Sequence, residues 1–213
     1  MDRRAFLAAT AGATFSVGLA GCSTVLEPSM PEELAAVEPE RQLPTPNLGD
    51  GDVTVDVYED LGCPRCHEFQ TDVVPELEAE LIDPGEITYR HYDFVVGAAD
   101  ESVAMANAAR AVQDDTGDEA GPNGAFFEYK ASVMTADDWS DDALADLADA
   151  IDADPGTVSN ALADDAYYPT LAADWERGDD AAVEGTPTVV VDGDPLDDPF
   201  DVGEIVDAVE EAG

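Results

Sequence analysis

Cys63-Pro64-Arg65-Cys66 lies between a segment that reads as a strand and one that reads as a helix, and this constrains the fold more than any other feature of the chain. Val53-Thr54-Val55-Asp56-Val57-Tyr58 alternates and is rich in β-branched residues, so it predicts a strand. After the cysteines, Phe69, Val73, Val74, Leu77 and Leu81 recur at helical spacing until Asp83-Pro84-Gly85 stops the pattern. Ile87 to Val96 reads as a second strand. The order strand, dicysteine, helix, strand is a βαβ unit, the setting in which this motif points to redox chemistry. Far downstream, Gly185-Thr186-Pro187-Thr188 opens another strand. Cysteines at this spacing can close a small, strained disulfide, and a proline loop brought beside them can hold a peptide against it. The pair predicts thiol–disulfide exchange.

The segment Tyr58-Glu59-Asp60-Leu61-Gly62-Cys63-Pro64-Arg65-Cys66-His67-Glu68-Phe69 resembles the active-site segment of DsbA-like disulfide oxidoreductases, thioredoxin-fold proteins of the cell envelope. Glu184 to Val191 resembles their cis-proline loop and the strand after it. The resemblance covers residues 51–213. It implies an α/β thioredoxin-like domain with a helical subdomain inserted at about residues 98–165. It also implies cysteine-containing exported proteins as clients, a membrane partner that reoxidises the dithiol, and no cofactor beyond the Cys63–Cys66 disulfide. Related enzymes often carry a buried acid on the first strand that helps move a proton to or from the resolving cysteine. The matching position here is Val57. Asp56 lies on the opposite strand face, and Asp60, three residues before the nucleophile, is the best match to an acid seen in many such sequences, though it reads equally as a loop or cap residue.

The residues themselves predict the division of labour. Cys63 just precedes the helix, with Pro64 in the first turn, so backbone N–H groups and the positive end of the helix dipole face its sulfur. Arg65 adds a permanent charge next door, and His67 is expected to be an exposed residue that tunes the thiolate. Cys63 is therefore the expected nucleophile with a depressed pKa, and Cys66, one turn in, the buried resolving thiol. Pro187 is expected to be cis, exposing the backbone of Thr186 to a substrate strand. The direction of electron flow stays open, with the oxidase direction preferred.

The motif has rival readings. Cys63-Pro64-Arg65-Cys66-His67 is also a literal CxxCH, the c-type haem attachment pattern, with His67 as one axial ligand and Met105, Met134 or His91 as the other. A zinc site would have only His67 and His91 beyond the cysteines and carboxylates. A third possibility is a binding module in which the dithiol is a redox-sensitive clasp or a metal chaperone.

The N-terminus predicts export. Arg3 and Arg4 precede a modest apolar run that ends in Leu19-Ala20-Gly21-Cys22. Residues 1–21 read as a twin-arginine lipoprotein signal peptide and Cys22 as the lipid-bearing residue, anchoring the protein to the outer face of the cell membrane. Residues 22–50 are rich in proline and glutamate and are expected to form a tether, with at most one helical turn around Leu34 to Val37. With Cys22 lipidated, Cys63 and Cys66 are the remaining cysteines, a pair better suited to redox work than to stapling.

The chain has 50 acidic and 8 basic residues, a net charge of −42, yet 45% of its residues are hydrophobic. That is enough apolar content for a core, so the charge predicts concentrated salt as the solvent rather than disorder. At about 1 M salt the screening length falls to about 3 Å and most self-repulsion disappears. A halophilic, archaeal source follows as the expectation. Nucleic-acid binding is excluded, because phosphate-neutralising cations are missing.

Between the motifs the pattern is helical: Glu101–Val112, a break at Gly117–Gly124, Ala125–Met134, a helix capped by Ser140, another opened by Pro155, and Tyr168–Asp180. Asp192-Gly193-Asp194 signals a hairpin turn, and Val202–Ala212 a closing amphipathic helix.

Overall fold

The protein is described by a computed structural model over residues 28–120 and 123–213. The expected signal peptide and Cys22 lie outside the described residues. The sheet is built from β1 (Asn47–Leu48), β2 (Val53–Glu59), β3 (Ile87–Asp93), β4 (Thr188–Val191) and β5 (Asp194–Pro195), in the order β1-β3-β2-β4-β5. β2 is central: it runs parallel to β3, with Val55 opposite Tyr89, and antiparallel to β4, with Val57 opposite Val189. β1 and β5 add antiparallel edges. The β4–β5 turn has positive φ at both Asp192 and Gly193, which a tight hairpin of this hand requires.

Two helical layers cover the sheet. On one face Val53, Val55 and Val57 pack against α2 (Pro64–Asp72), α3 (Val74–Leu77) and α9 (Val202–Ala212), through Phe69, Leu77, Ile205 and Val209. Burying each such side chain stabilises the fold by roughly 1.5–3 kcal/mol. Past α3 the helix widens into a π-turn over Glu78–Ile82 before the chain re-enters the sheet. On the other face Tyr58, Tyr92 and Phe94 meet Trp175 on α8 (Tyr168–Asp180). Gly178 allows this close approach, because a β-carbon there would lie 2.4 Å from the Phe94 ring.

The helical subdomain comprises α4 (Ser102–Ala120), α5 (Phe126–Thr135), α6 (Asp141–Asp149) and α7 (Pro155–Asp164). Its core, built on Met105, Phe126, Tyr129, Val133 and Leu144, is continuous with Leu61, Cys63 and Cys66. The dithiol therefore sits at the seam between sheet and insert. α4 runs through Gly117, where the sequence predicts a break. β3 ends at Asp93, three residues short of the expected Val96. Ser140 occupies the N-cap position of α6 without making a side-chain cap bond, whereas Asp154 caps α7 by accepting from the Gly156 N–H.

The tether expected over residues 22–50 is a correction. From Pro31 onward this segment is docked on the domain. Glu32–Ala35 forms a single helical turn, α1, whose Leu34 is fully buried against Val95, Val103 and Leu171. Arg41 pairs with Asp174 at 2.5 Å, and Asn47–Leu48 joins the sheet. Proline and glutamate content reads as solvated chain, but Leu34, Arg41 and hydrogen bonds from Glu40, Gln42 and Asn47 to distant partners hold the segment down. Among the described residues, no helix is long and apolar enough to cross a membrane.

Candidate active site

Cys63 has extended backbone angles and is the N-cap of α2. Its carbonyl accepts the N–H groups of Cys66 (2.9 Å) and His67 (3.1 Å), while Pro64 fills the first helical position, where an N–H would find no partner. Gly62 leaves room for this turn: a β-carbon would lie 2.4 Å from Ser102 Oγ and 2.7 Å from Ala99 Cβ. The Thr186–Pro187 bond is cis, as expected, and Cys63 Sγ donates to Thr186 O at 3.5 Å. Thus the proline loop, more than a hundred residues downstream, lies against the first cysteine.

The two thiols have opposite electrostatics. A hydrogen bond from the Cys66 thiol is the largest influence on Cys63. Burial works against it, but the Thr186 side chain and the N–H groups of Cys66 and Arg65 add support, bringing the Cys63 pKa down to about 5. Cys66 is fully buried, and burial, its bond to Cys63 and the charge of Glu59 push its pKa far up. Cys63 is therefore the thiol that ionises readily and Cys66 the one that holds its proton.

The tuning residues need correction. The Arg65 guanidinium turns outward, 4.2 Å over the Phe200 ring and 3.9 Å from Glu68, so what reaches Cys63 is its backbone N–H. His67 is half-buried, with Nε2 2.6 Å from Leu61 O and its ring against Trp139. Asp60 is fully buried, and both its oxygens are committed to backbone. Oδ1 accepts from Gly62 N–H (2.8 Å), and Oδ2 from Val96 (2.9 Å) and Ala98 (3.1 Å). It ties the turn before the dithiol to the loop after β3, which also explains why β3 stops early. Among the haem-ligand candidates, both ring nitrogens of His91 face carboxylates, and Met105 and Met134 are buried in the core of the insert. Among the described residues, no cluster of three or more His, Cys, Asp or Glu side chains is placed to hold a metal ion.

A buried acid that sequence reasoning passed over is Glu59. It follows Val57 by one pleat on the same strand face, and its charge reaches the Cys66 thiol. Its Oε2 accepts from Lys130 Nζ and lies 3.1 Å from His91 Nδ1, while its Oε1 is buried with no hydrogen-bond partner. Burial opposes ionisation, but Lys130 and His91 together hold its pKa below the usual glutamate range. Two signals pointed here: the Val53, Val55, Val57, Glu59 alternation, and the chain's one lysine set among Phe126, Phe127 and Tyr129.

The polar network continues inward. His91 Nε2 faces Asp93 Oδ1 at 3.0 Å. Arg110 bonds Asp93 and Asp174, each at 2.7 Å, and Arg41 closes the chain at the surface. Arg110 and His91 outweigh burial to hold Asp93 at about 2.

A family model described as "Thioredoxin" matches residues 48–211. "Disulfide bond formation protein D" of Bacillus subtilis (strain 168) is 23% identical over 174 residues, covering 78% of this chain and 75% of that protein. The oxidised crystal structure of BdbD from Bacillus subtilis superposes with a TM-score of 0.69 at 22% identity, covering 82% of this chain and 97% of that one. Chlamydia trachomatis DsbA gives a TM-score of 0.69 at 21% identity, over 79% of this chain and 91% of that one.

Proposed function

From the premise that this chain belongs to the thioredoxin family, we propose that it is a protein thiol:disulfide oxidoreductase cycling Cys63 and Cys66 between dithiol and disulfide. The observation that carries the reading is the asymmetric thiol pair, with Cys63 at the helix N-terminus against the cis Thr186–Pro187 loop and Cys66 buried behind it. In the oxidase direction a client thiolate attacks Cys63 Sγ, the Cys63–Cys66 bond breaks, and Cys66 leaves and takes up a proton. A second client thiolate then attacks the client sulfur of the mixed disulfide. Cys63 leaves as a thiolate, which its low pKa favours. Two client thiols have then lost two electrons and the dithiol has gained them. A disulfide-donating membrane partner restores the oxidised form. A stabilised Cys63 thiolate favours the reduced enzyme, which makes the disulfide the stronger oxidant. Titration of the purified protein against glutathione in molar salt tests this. A potential near about −120 mV is the expected oxidase outcome, one near about −270 mV would make it a reductase, and no reversible two-electron step would end the reading.

We also propose that the protein is exported by the twin-arginine route, lipid-anchored through Cys22, and adapted to concentrated salt as a haloarchaeal protein would be. The net charge of −42 supports the salt. The described cations do little to offset surface repulsion, since Arg110 and Lys130 are buried, Arg41, Arg90 and Arg177 pair with Asp174 and Asp56, and Arg65 is left exposed beside Glu68. The thermal midpoint is expected to climb steeply as salt rises from about 0.1 to about 1 M, where the screening length shrinks from about 10 to about 3 Å. A flat midpoint would remove the salt adaptation. An intact N-terminus in the mature protein's mass would remove the anchor.

A further inference from the structure

Among the described residues, positive charge is scarce and nearly all of it is spent inward. Arg41, Arg90, Arg110, Lys130 and Arg177 each reach a buried carboxylate. Arg65 does not. Its side chain is 62% exposed, and its ion-pair partner Glu68 is 59% exposed and 3.9 Å away, too far for a hydrogen bond. The guanidinium N–H groups are therefore open to another acceptor. The group is also held in place. It lies 4.2 Å over the Phe200 ring, and Phe200 packs edge-on against the buried Phe69 of α2, with ring centroids 6.0 Å apart. A guanidinium already stacked on a ring loses little further freedom on binding, and its planar fork matches the two oxygens of a carboxylate.

Position supplies the rest of the argument. Arg65 follows Cys63 by two residues, so their Cα atoms lie no more than about 7.6 Å apart. A polypeptide whose sulfur is attacking Cys63 Sγ passes within reach of that guanidinium. Beyond Phe200 the surface turns acidic: a hollow there is lined by Asp72, Glu76, Asp198 and Asp201, which repel a carboxylate. An acid that reaches Arg65 therefore arrives from the side of the dithiol, carried close to the reacting cysteine. In about 1 M salt, repulsion between acidic surfaces is screened beyond about 3 Å, whereas a carboxylate hydrogen-bonded to the guanidinium sits within that length.

We propose that Arg65 is a specificity residue that selects client cysteines flanked by aspartate or glutamate. It rests on the oxidoreductase reading and gives that reading a substrate class. The client carboxylate pairs with the guanidinium as the client thiolate attacks Cys63 Sγ, and the pair persists in the mixed disulfide.

The test uses the purified protein in about 1 M salt, with hydroxyethyl disulfide, a neutral oxidant, to regenerate the Cys63–Cys66 disulfide. The substrates are two dithiol peptides, identical except that Asp or Asn stands beside each cysteine. Chromatography of reduced and oxidised peptide gives kcat/KM, divided by the rate of the same peptide with hydroxyethyl disulfide alone. The quantity read is the Asp:Asn ratio within one form of the enzyme, so any change in Cys63 reactivity cancels. Arg65→Gln is expected to lower that ratio about 2–5-fold, the range for an exposed ion pair, and Arg65→Glu to lower it further. Equal ratios in the wild type and Arg65→Gln overturn the proposal. Failure of the wild type to oxidise either peptide faster than hydroxyethyl disulfide alone would instead overturn the oxidoreductase reading on which it stands.

Discussion

Cys63→Ser is expected to reduce turnover of protein disulfides to background and to remove a pH-dependent part of the reduced protein's stability. The first effect follows from chemistry, since a hydroxyl can neither form nor leave a disulfide. The second follows from linkage. In the folded protein the Cys63 pKa is lowered to about 5 by the Cys66 thiol, Thr186 and the N–H groups at the start of α2. In the unfolded chain a cysteine titrates near about 8.5. A group whose folded pKa is depressed contributes stability that is fully present above the unfolded value and is lost as pH falls through the folded one. The reduced wild type is therefore expected to gain stability over Cys63→Ser as pH rises from about 5 to about 8.5, with a constant difference below that window. Denaturation in molar salt with excess reductant measures it. A difference that stays flat across the window would mean an ordinary thiol, and the argument for an oxidising disulfide would fall with it.

Arg110→Met is expected to cost about 3–5 kcal/mol, the usual penalty for removing one partner of a buried ion pair. For a domain of this size that lowers the thermal midpoint by roughly 6–20 °C. Arg110 is fully buried and bonds Asp93 through Nε and Asp174 through Nη2, each at 2.7 Å. Methionine fills a similar space but leaves both carboxylates without their shared cation. Among the described residues, Asp93 then keeps the His91 ring nitrogen and Asp174 keeps Arg41 as side-chain partners. The sign of the pH dependence separates this from a packing defect. Stranded carboxylates relieve their cost by taking protons, so the deficit should shrink as pH falls from about 7.5 towards about 5. Thermal denaturation at those two pH values checks it, and a deficit under about 1 kcal/mol would show that the network is not held by this charge.

The helices that bury one face against a neighbour could be read from spacing. α8 and α9 run over Tyr168–Asp180 and Val202–Ala212, the bounds the pattern predicts, because apolar period and terminating residues agree there. Where the reading failed, a distant partner overruled a local signal. Gly117 was expected to stop α4, but a glycine weakens a helix by only about 1 kcal/mol, which packing overcomes. Phe94–Val96 leave the sheet because Asp60 captures the Val96 N–H. Residues 31–48 look like solvated tether, and their docking depends on Thr170 and Asp174, well over a hundred residues away.

The candidate site divides in the same way. Cys63, Cys66 and the Thr186–Pro187 loop could be named from residue types and order, because a dithiol at a strand-to-helix turn and a proline before a strand are local statements. Their opposite reactivities also follow from position, one thiol at the helix N-terminus and the other a turn inside it. The acid could not be located this way. An acid on a strand shows only which face it occupies, and Asp60 follows Glu59 just past the end of β2. Tertiary structure decided between them. It spent both Asp60 oxygens on backbone N–H groups and brought Lys130 and His91 to Glu59. Covalent order and helical phase determine which sulfur is reactive, while a buried charge takes its protonation from whatever lies within a few ångströms of it, and only the folded chain specifies those neighbours.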